Sequence, residues 1–188
     1  MIDIFLSASI PLPDRDRRFY ETADVLAIRE AIKGLVEVIL PEGRITFGGH
    51  PAITPLIAFF VAEAGLNQDR LTIFQSRFFE NEFSEANSQF HDVRLVDAVD
   101  GSRERSLHEM RKAMIESRRF RAAVFIGGME GLFDEAEMFS RLQPNAEVLP
   151  VASTGAAAAD LFRGGDFPPK LQTELTYTTL FRRHFAQG

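Results

Sequence analysis

The chain has 188 residues, of which 45% are apolar; its formal charge is −6 and it contains no cysteine. A chain of this length suits one domain that buries roughly two thirds of the surface its unfolded form would expose. The missing cysteines exclude disulfides, thiolate catalysis and Cys-based zinc sites, and the acidic balance argues against bulk nucleic-acid binding, which needs a concentrated basic surface.

No apolar run approaches the roughly 20 residues of a membrane span. The N-terminal run MIDIFLSASI lacks the basic start and cleavage site of a secretory signal, so a cytoplasmic location is expected. The four histidines form no HxH or HExxH spacing, and no metal site is expected.

In chain order, residues 2–9 read as a first strand, followed by helical spacing over 25–40. A strand over 43–49, a helix over 55–64 and a strand over 70–76 come next. Segment 76–92 has no decisive period; its phenylalanines and acids suit a lid, a dimer arm or a covering helix. Then come a strand over 92–99, a helix over 103–119, a strand over 122–128, a helix over 132–142 and a strand over 147–154. After the Gly/Pro-rich break at 163–170, a final helix is expected over 171–185. Strands alternating with helices specify βαβ crossovers. The predicted fold is therefore a single Rossmann-like α/β domain, with a mostly parallel sheet of about six or seven strands and helices on both faces.

In such a sheet the ligand lies beyond the carboxyl ends of the strands, where helices present unpaired N–H groups. Small and hydroxylated residues recur there: Ser7, Ala8 and Ser9; Gly48, Gly49, His50 and Thr54; Gln75 and Ser76; Gly127, Gly128, Met129, Glu130 and Gly131; Ser153, Thr154 and Gly155. Glycine permits close backbone approach, and Ser and Thr add short donors, a combination suited to a phosphate or a ribose. The same residues also serve ordinary βα turns. Thr54 before Pro55 reads as an N-cap leading a helix that is apolar nearly all round and hence buried. The basic clusters at 14–18, 116–121 and 181–185 read as solvated helix or loop faces, with contact to a phosphate as the alternative for each.

Two charged residues stand where core residues belong. On a helical wheel Arg111 falls in the sector of Leu107, Met110, Met114 and Ile115, which would make it a partner of a carboxylate or of a ligand anion. Glu135 falls between Phe139 and Leu142 on the apolar face of the next helix, as a capping or dipole-stabilised residue, a general acid/base or an acceptor for ribose hydroxyls.

The run MRKAMIESRRFRAAVFIGGMEGLFDEAEMF (110–139) resembles the lysine-decarboxylase-like LOG phosphoribohydrolases, whose signature is an Arg-Lys helix, an apolar strand and PGGxGTxxE. With FLSAS at the first strand and FGGHPAIT at the second, the chain is identified as a member of the broader SLOG superfamily across 1–188, nearest to the nucleotide-sensor domains of prokaryotic conflict systems. The resemblance makes Arg111 and Glu135 counterparts of the catalytic pair. It also implies a homodimer or higher homo-oligomer and an effector partner, of TIR type or another. Three departures bear on the activity: Ile126 replaces the family's Pro, Leu132 replaces its Thr, and one additional residue lengthens the loop that carries Met129 and Glu130. The resemblance thus implies binding of an NAD- or ADP-ribose-derived nucleotide, possibly cyclic, without turnover. An N-glycosidase using Glu135 and Arg111 is the alternative, and an oligomerising interaction module with a vestigial pocket the third. No cofactor beyond the nucleotide-derived ligand is expected.

Overall fold

A computed structural model describes residues 1–15 and 17–185. Six strands form one sheet: β1 (Asp3–Ser9), β2 (Arg44–Gly48), β3 (Leu71–Ser76), β4 (Asp92–Val96), β5 (Ala122–Gly127) and β6 (Glu147–Val151), in the order β4-β3-β2-β1-β5-β6. Every pairing is parallel, with Ile4 opposite Ile45 on one side of β1 and opposite Ala122 on the other. The fold is the Rossmann-like α/β sandwich that the alternation of elements predicts.

Helices cover both faces, which explains why the central strands are apolar without alternation. On one face α2 (Val25–Ile39), α3 (Ile53–Glu63) and α8 (Tyr177–Phe185) pack Ile28, Ile32, Leu35, Ile57, Phe60 and Phe181 against Ile4, Leu6, Phe47, Ile73 and Val124. On the other, α1 (Arg17–Thr22), α4 (Arg103–Glu116), α5 (Gly131–Leu142) and α6 (Ala156–Arg163) pack Phe19, Met110, Met114, Ile115, Phe139 and Ala157 around Phe5, Phe74, Ala123 and Phe125. Successive residues of β1 thus enter different cores, as a period of two requires. Asp24 and Ser102 cap α2 and α4 by accepting from the N–H groups of Ala27 and Arg105.

The structure departs from the sequence expectations at several points. The helix expected over 171–185 is two, α7 (Lys170–Thr173) and α8, because Glu174 is extended and its carboxylate accepts from the Thr176 N–H at 2.9 Å. Helix α3 begins at Ile53, so Thr54 is not its N-cap; the Thr54 hydroxyl lies inside the first turn and accepts from the His50 N–H at 3.0 Å. Pro55 is tolerated there because first-turn N–H groups have no intrahelical acceptor. Nor is α3 buried all round, since Phe59 is 52% exposed. Strands β4 and β6 end at Val96 and Val151, short of the expected 99 and 154. The helix expected over 103–119 stops at Glu116. The alanine run at 156–159 opens α6, a helix absent from the sequence expectation. Segment 76–92 contains two 3₁₀ turns, Arg77–Glu82 and Glu85–Gln89, capped by the Ser76 and Ser84 hydroxyls.

Candidate functional site

The chain builds β1 to β4 outward in one direction and then returns to lay β5 against the free side of β1. Chain direction across the sheet therefore reverses between β1 and β5, and in open parallel sheets the carboxyl ends of the strands at such a switch point are where ligands bind. Ser7, Ala8 and Ser9 come from one strand, and the turn Gly127–Gly131 from the other.

That turn is shaped by its glycines. Gly127 and Gly128 adopt φ of +59° and +88°, and a Cβ on Gly127 would stand 2.6 Å from Ile28 and 2.8 Å from the Ser9 carbonyl. The Gly128 N–H donates to that carbonyl at 2.9 Å, and α5 makes its first backbone bonds from Leu132 and Phe133. The N–H groups of Met129, Glu130 and Gly131 make no hydrogen bond among the described residues, the usual condition of a helix start. Met129 is half-buried and Glu130 exposed.

Arg111 reaches from α4 to α5. Its Nε donates to the Glu135 Oε1 at 3.2 Å, and a terminal nitrogen donates to the Asp134 Oδ2 at 2.9 Å. Its side chain is 13% exposed and that of Glu135 is 18% exposed. The guanidinium end passes close over Gly131, where a Cβ would lie 2.5 Å from a terminal nitrogen. Burial pushes the Glu135 carboxyl above its ordinary range; the Arg111 charge, the Ser7 hydroxyl and the Arg111 hydrogen bond oppose the shift, and the neighbouring Asp134 charge adds to it. The two residues that interrupt apolar faces in the sequence thus interrupt them toward each other. A groove of about 250 Å³ between α4 and α5 has Arg111 in its wall, with Glu104, His108, Asp134, Glu137 and Arg141.

A second group lies at the ends of β2 and β3. Gly48 and Gly49 are half-buried, and Gly49 carries the Gln75 carboxamide against its Cα: a Cβ there would come within 2.6 Å of the Gln75 Cδ. Gln75 is 7% exposed, and its Oε1 accepts from Asn87. The His50 Nδ1 accepts from the Ala52 N–H at 3.1 Å, so in the neutral ring the proton sits on Nε2. Burial, aided by the Arg15 charge, lowers the His50 pKa from 6.5 to about 4. Thr54 is fully buried, and Ser76 accepts from the Phe78 N–H at 3.3 Å.

The loop after β6 turns its polar groups inward. The Thr154 hydroxyl accepts from the Gly127 N–H at 2.9 Å and donates to the Val151 carbonyl at 2.6 Å, so it braces the glycine turn from behind. Ser153 bonds the Glu174 carbonyl at 3.2 Å and the Tyr177 hydroxyl at 3.1 Å. Gly155, at φ +72°, passes so close to the Thr22 carbonyl that any side chain would collide with it.

Two contributors escaped sequence reasoning. Asp134, the exposed partner of Arg111, lies beside Glu135 and offered no periodic anomaly; Asn87 sits in the segment without a period. Among the described residues no group of three or more His, Asp or Glu could hold a metal ion, and no helix is long and apolar enough to cross a membrane.

A parallel sheet with a glycine turn and a partly buried Arg–Glu pair near its switch point defines a Rossmann-like α/β protein. The family model of the SLOG cluster3 family matches residues 18–185, and the chain belongs to that family. No curated protein and no solved structure matches the chain. Membership in a SLOG family points to a nucleotide-related role.

Proposed function

We propose that the protein binds a nucleotide-derived signal, of NAD or ADP-ribose origin and linear or cyclic, at the carboxyl edge of its sheet, as a sensor in a prokaryotic defence or signalling system. The observation that carries this reading is the Arg111–Glu135 pair set beside three backbone N–H groups at the start of α5. Phosphate oxygens find donors in those N–H groups and in the guanidinium, whose planar fork matches a phosphate. Ribose hydroxyls find an acceptor in the Glu135 carboxylate and a partner in Ser7.

Binding without turnover is favoured by the charge around the pair. Arg111 is held by two carboxylates, and Glu130 adds a third acid at the mouth of the turn. A phosphate must displace Asp134 from the guanidinium before it can take that place, and such an exchange couples occupancy to the position of α5 against α4. An effector protein, of TIR type or another, would read that change, with the sensor acting as a homo-oligomer.

One observation favours the N-glycosidase reading: burial raises the Glu135 carboxyl, as suits a residue that exchanges a proton during attack of water on an anomeric carbon. A single series separates the two. Calorimetry and thermal shift with AMP, ADP-ribose and cyclic ADP-ribose isomers are followed by chromatography of the same mixtures for released base. Intact ligand after binding is the expected result. Accumulation of free base that stops in Glu135→Gln while binding persists would establish the hydrolase instead. If no nucleotide shifts the melting curve of the wild type, the protein is an interaction module with a vestigial pocket.

A further inference from the structure

Helix α2 buries Ile28, Ile32, Leu35 and Ile39 in the core, and both α3 and α8 pack on it. Its solvent side reads Leu26, Glu30, Lys33 and Glu37, spaced i, i+4, i+7 and i+11 as one helical face. Leu26 is 75% exposed, more than any other large apolar residue among the described residues except Met1. A lone exposed leucine is ordinary on a protein surface. This one heads a row of three charges that are loosely paired within the chain. Lys33 Nζ stands 3.9 Å from Glu37 Oε1, the other Glu37 oxygen accepts from the Thr178 hydroxyl at 3.5 Å, and Glu30 pairs with its exposed neighbour Arg29. Exposed pairs of this kind contribute little to stability, so the row can exchange them for others.

Beside this row a groove of about 300 Å³ runs between α2 and segment 175–178, which leads into α8. Gly34 lies in it, where the chain of α8 comes so near that a Cβ would stand 2.8 Å from the Thr178 nitrogen. Leu175, 68% exposed, supplies an apolar wall, and Glu30, Lys33 and Glu37 line the α2 side, where their stems add apolar surface. The groove shares no residue with the Arg111–Glu135 site, which belongs to the helices on the other face of the sheet.

We infer that a second copy of the chain docks on this face, α2 antiparallel to α2 about a two-fold axis midway between Glu30 and Lys33. A two-fold contact needs a surface complementary to itself, with residue i on j and j on i. The row meets that condition. Glu30 of each copy lies opposite Lys33 of the other, and Leu26 lies opposite Glu37, because both pairs share one midpoint along the helix. A parallel pairing would set like charges against like. Leu26 and Glu37 are about 16 Å apart along the axis. Leu26 of each copy is therefore carried to the Gly34–Glu37 end of the other's groove, and both leucines leave water together with two ion pairs formed across the axis. This contact supplies a surface for the homo-oligomer of the proposed function; it rests on that part of the reading and not on nucleotide binding.

Sedimentation velocity on the full chain, over a series from micromolar to millimolar protein, tests this. The wild type is expected to dimerise reversibly. Leu26→Asp is expected to raise the dissociation constant about a hundredfold, about tenfold for each of the two leucines withdrawn from the contact. Glu30→Lys and Lys33→Glu should each weaken the dimer by setting like charges opposite each other. An equimolar mixture of those two variants should dimerise again, because every pair across the axis is then opposite in sign, a recovery that a folding defect cannot produce. A wild type that stays monomeric throughout overturns the inference together with the homo-oligomer of the proposed function, and leaves nucleotide binding standing. A wild-type oligomer that Leu26→Asp does not weaken, or whose charge variants do not recover on mixing, overturns the inference alone and assigns the contact to another face.

Discussion

Replacing Glu135 by Gln tests the electrostatics of the candidate site directly. At an effective dielectric of about 20, a charge pair at about 3.2 Å gains about 5 kcal/mol. That is the size of the several kcal/mol a carboxylate loses on leaving water. The guanidinium is shared with Asp134, 2.9 Å away and largely exposed, so Glu135 does not receive its whole field. The balance falls against the ionised form, in line with the raised pKa. Between the ordinary carboxyl range and that raised value the folded protein holds more protons than the unfolded chain, so stability falls as pH rises through the window. Gln keeps the shape and removes the charge. Glu135→Gln is therefore expected to stabilise the protein at pH 7 by about 1 kcal/mol, a rise of roughly 2–4 °C in Tm. The gain should vanish below about pH 4, where Glu135 is protonated in both states. Circular-dichroism melts of both proteins from pH 4 to 8 measure it. A variant less stable than the wild type at pH 7, or a difference that does not change with pH, refutes the reasoning and shows that Arg111 outweighs desolvation.

Thr154→Val strips the Gly127 N–H of its acceptor in a buried site, and is expected to cost about 1–3 kcal/mol in denaturant unfolding. Gly155→Ala forces a side chain against the Thr22 carbonyl at a positive φ, so a loss above about 3 kcal/mol, or failure to fold, is expected on thermal melting. The His50 imidazole should titrate by NMR near pH 4 instead of 6.5, and because its folded pKa is depressed, stability contributed by the neutral ring is lost as pH falls through that window. Titration of His50 close to 6.5 would show that the loop after β2 is open to water.

Much of the candidate site was legible because its residues break rules that ordinary core positions keep. Arg111 and Glu135 each occupy an apolar helical sector, and an unexplained charge in such a sector must meet a partner. What periodicity could not say is that the partner of each is the other, since 24 residues separate them and only the packing of α4 on α5 joins them. The hydroxylated loops illustrate the opposite limit. Five loops looked alike in sequence, yet Thr154 and Ser153 bond within the protein while Ser7 faces Glu135. Composition records donors without recording where they point.

The sequence by itself determined the βα alternation, the parallel Rossmann-like sheet with both faces covered, and the SLOG resemblance carried by Arg111, the glycine turn and Glu135. These follow from local period and spacing, which are properties of the chain read in order. Only the tertiary structure decided that β5 returns beside β1, that the Arg111 guanidinium passes over Gly131, and that Asn87 holds the Gln75 carboxamide beside Gly49. Those are contacts between distant segments, and they form where two packed layers bring side chains together that no period relates.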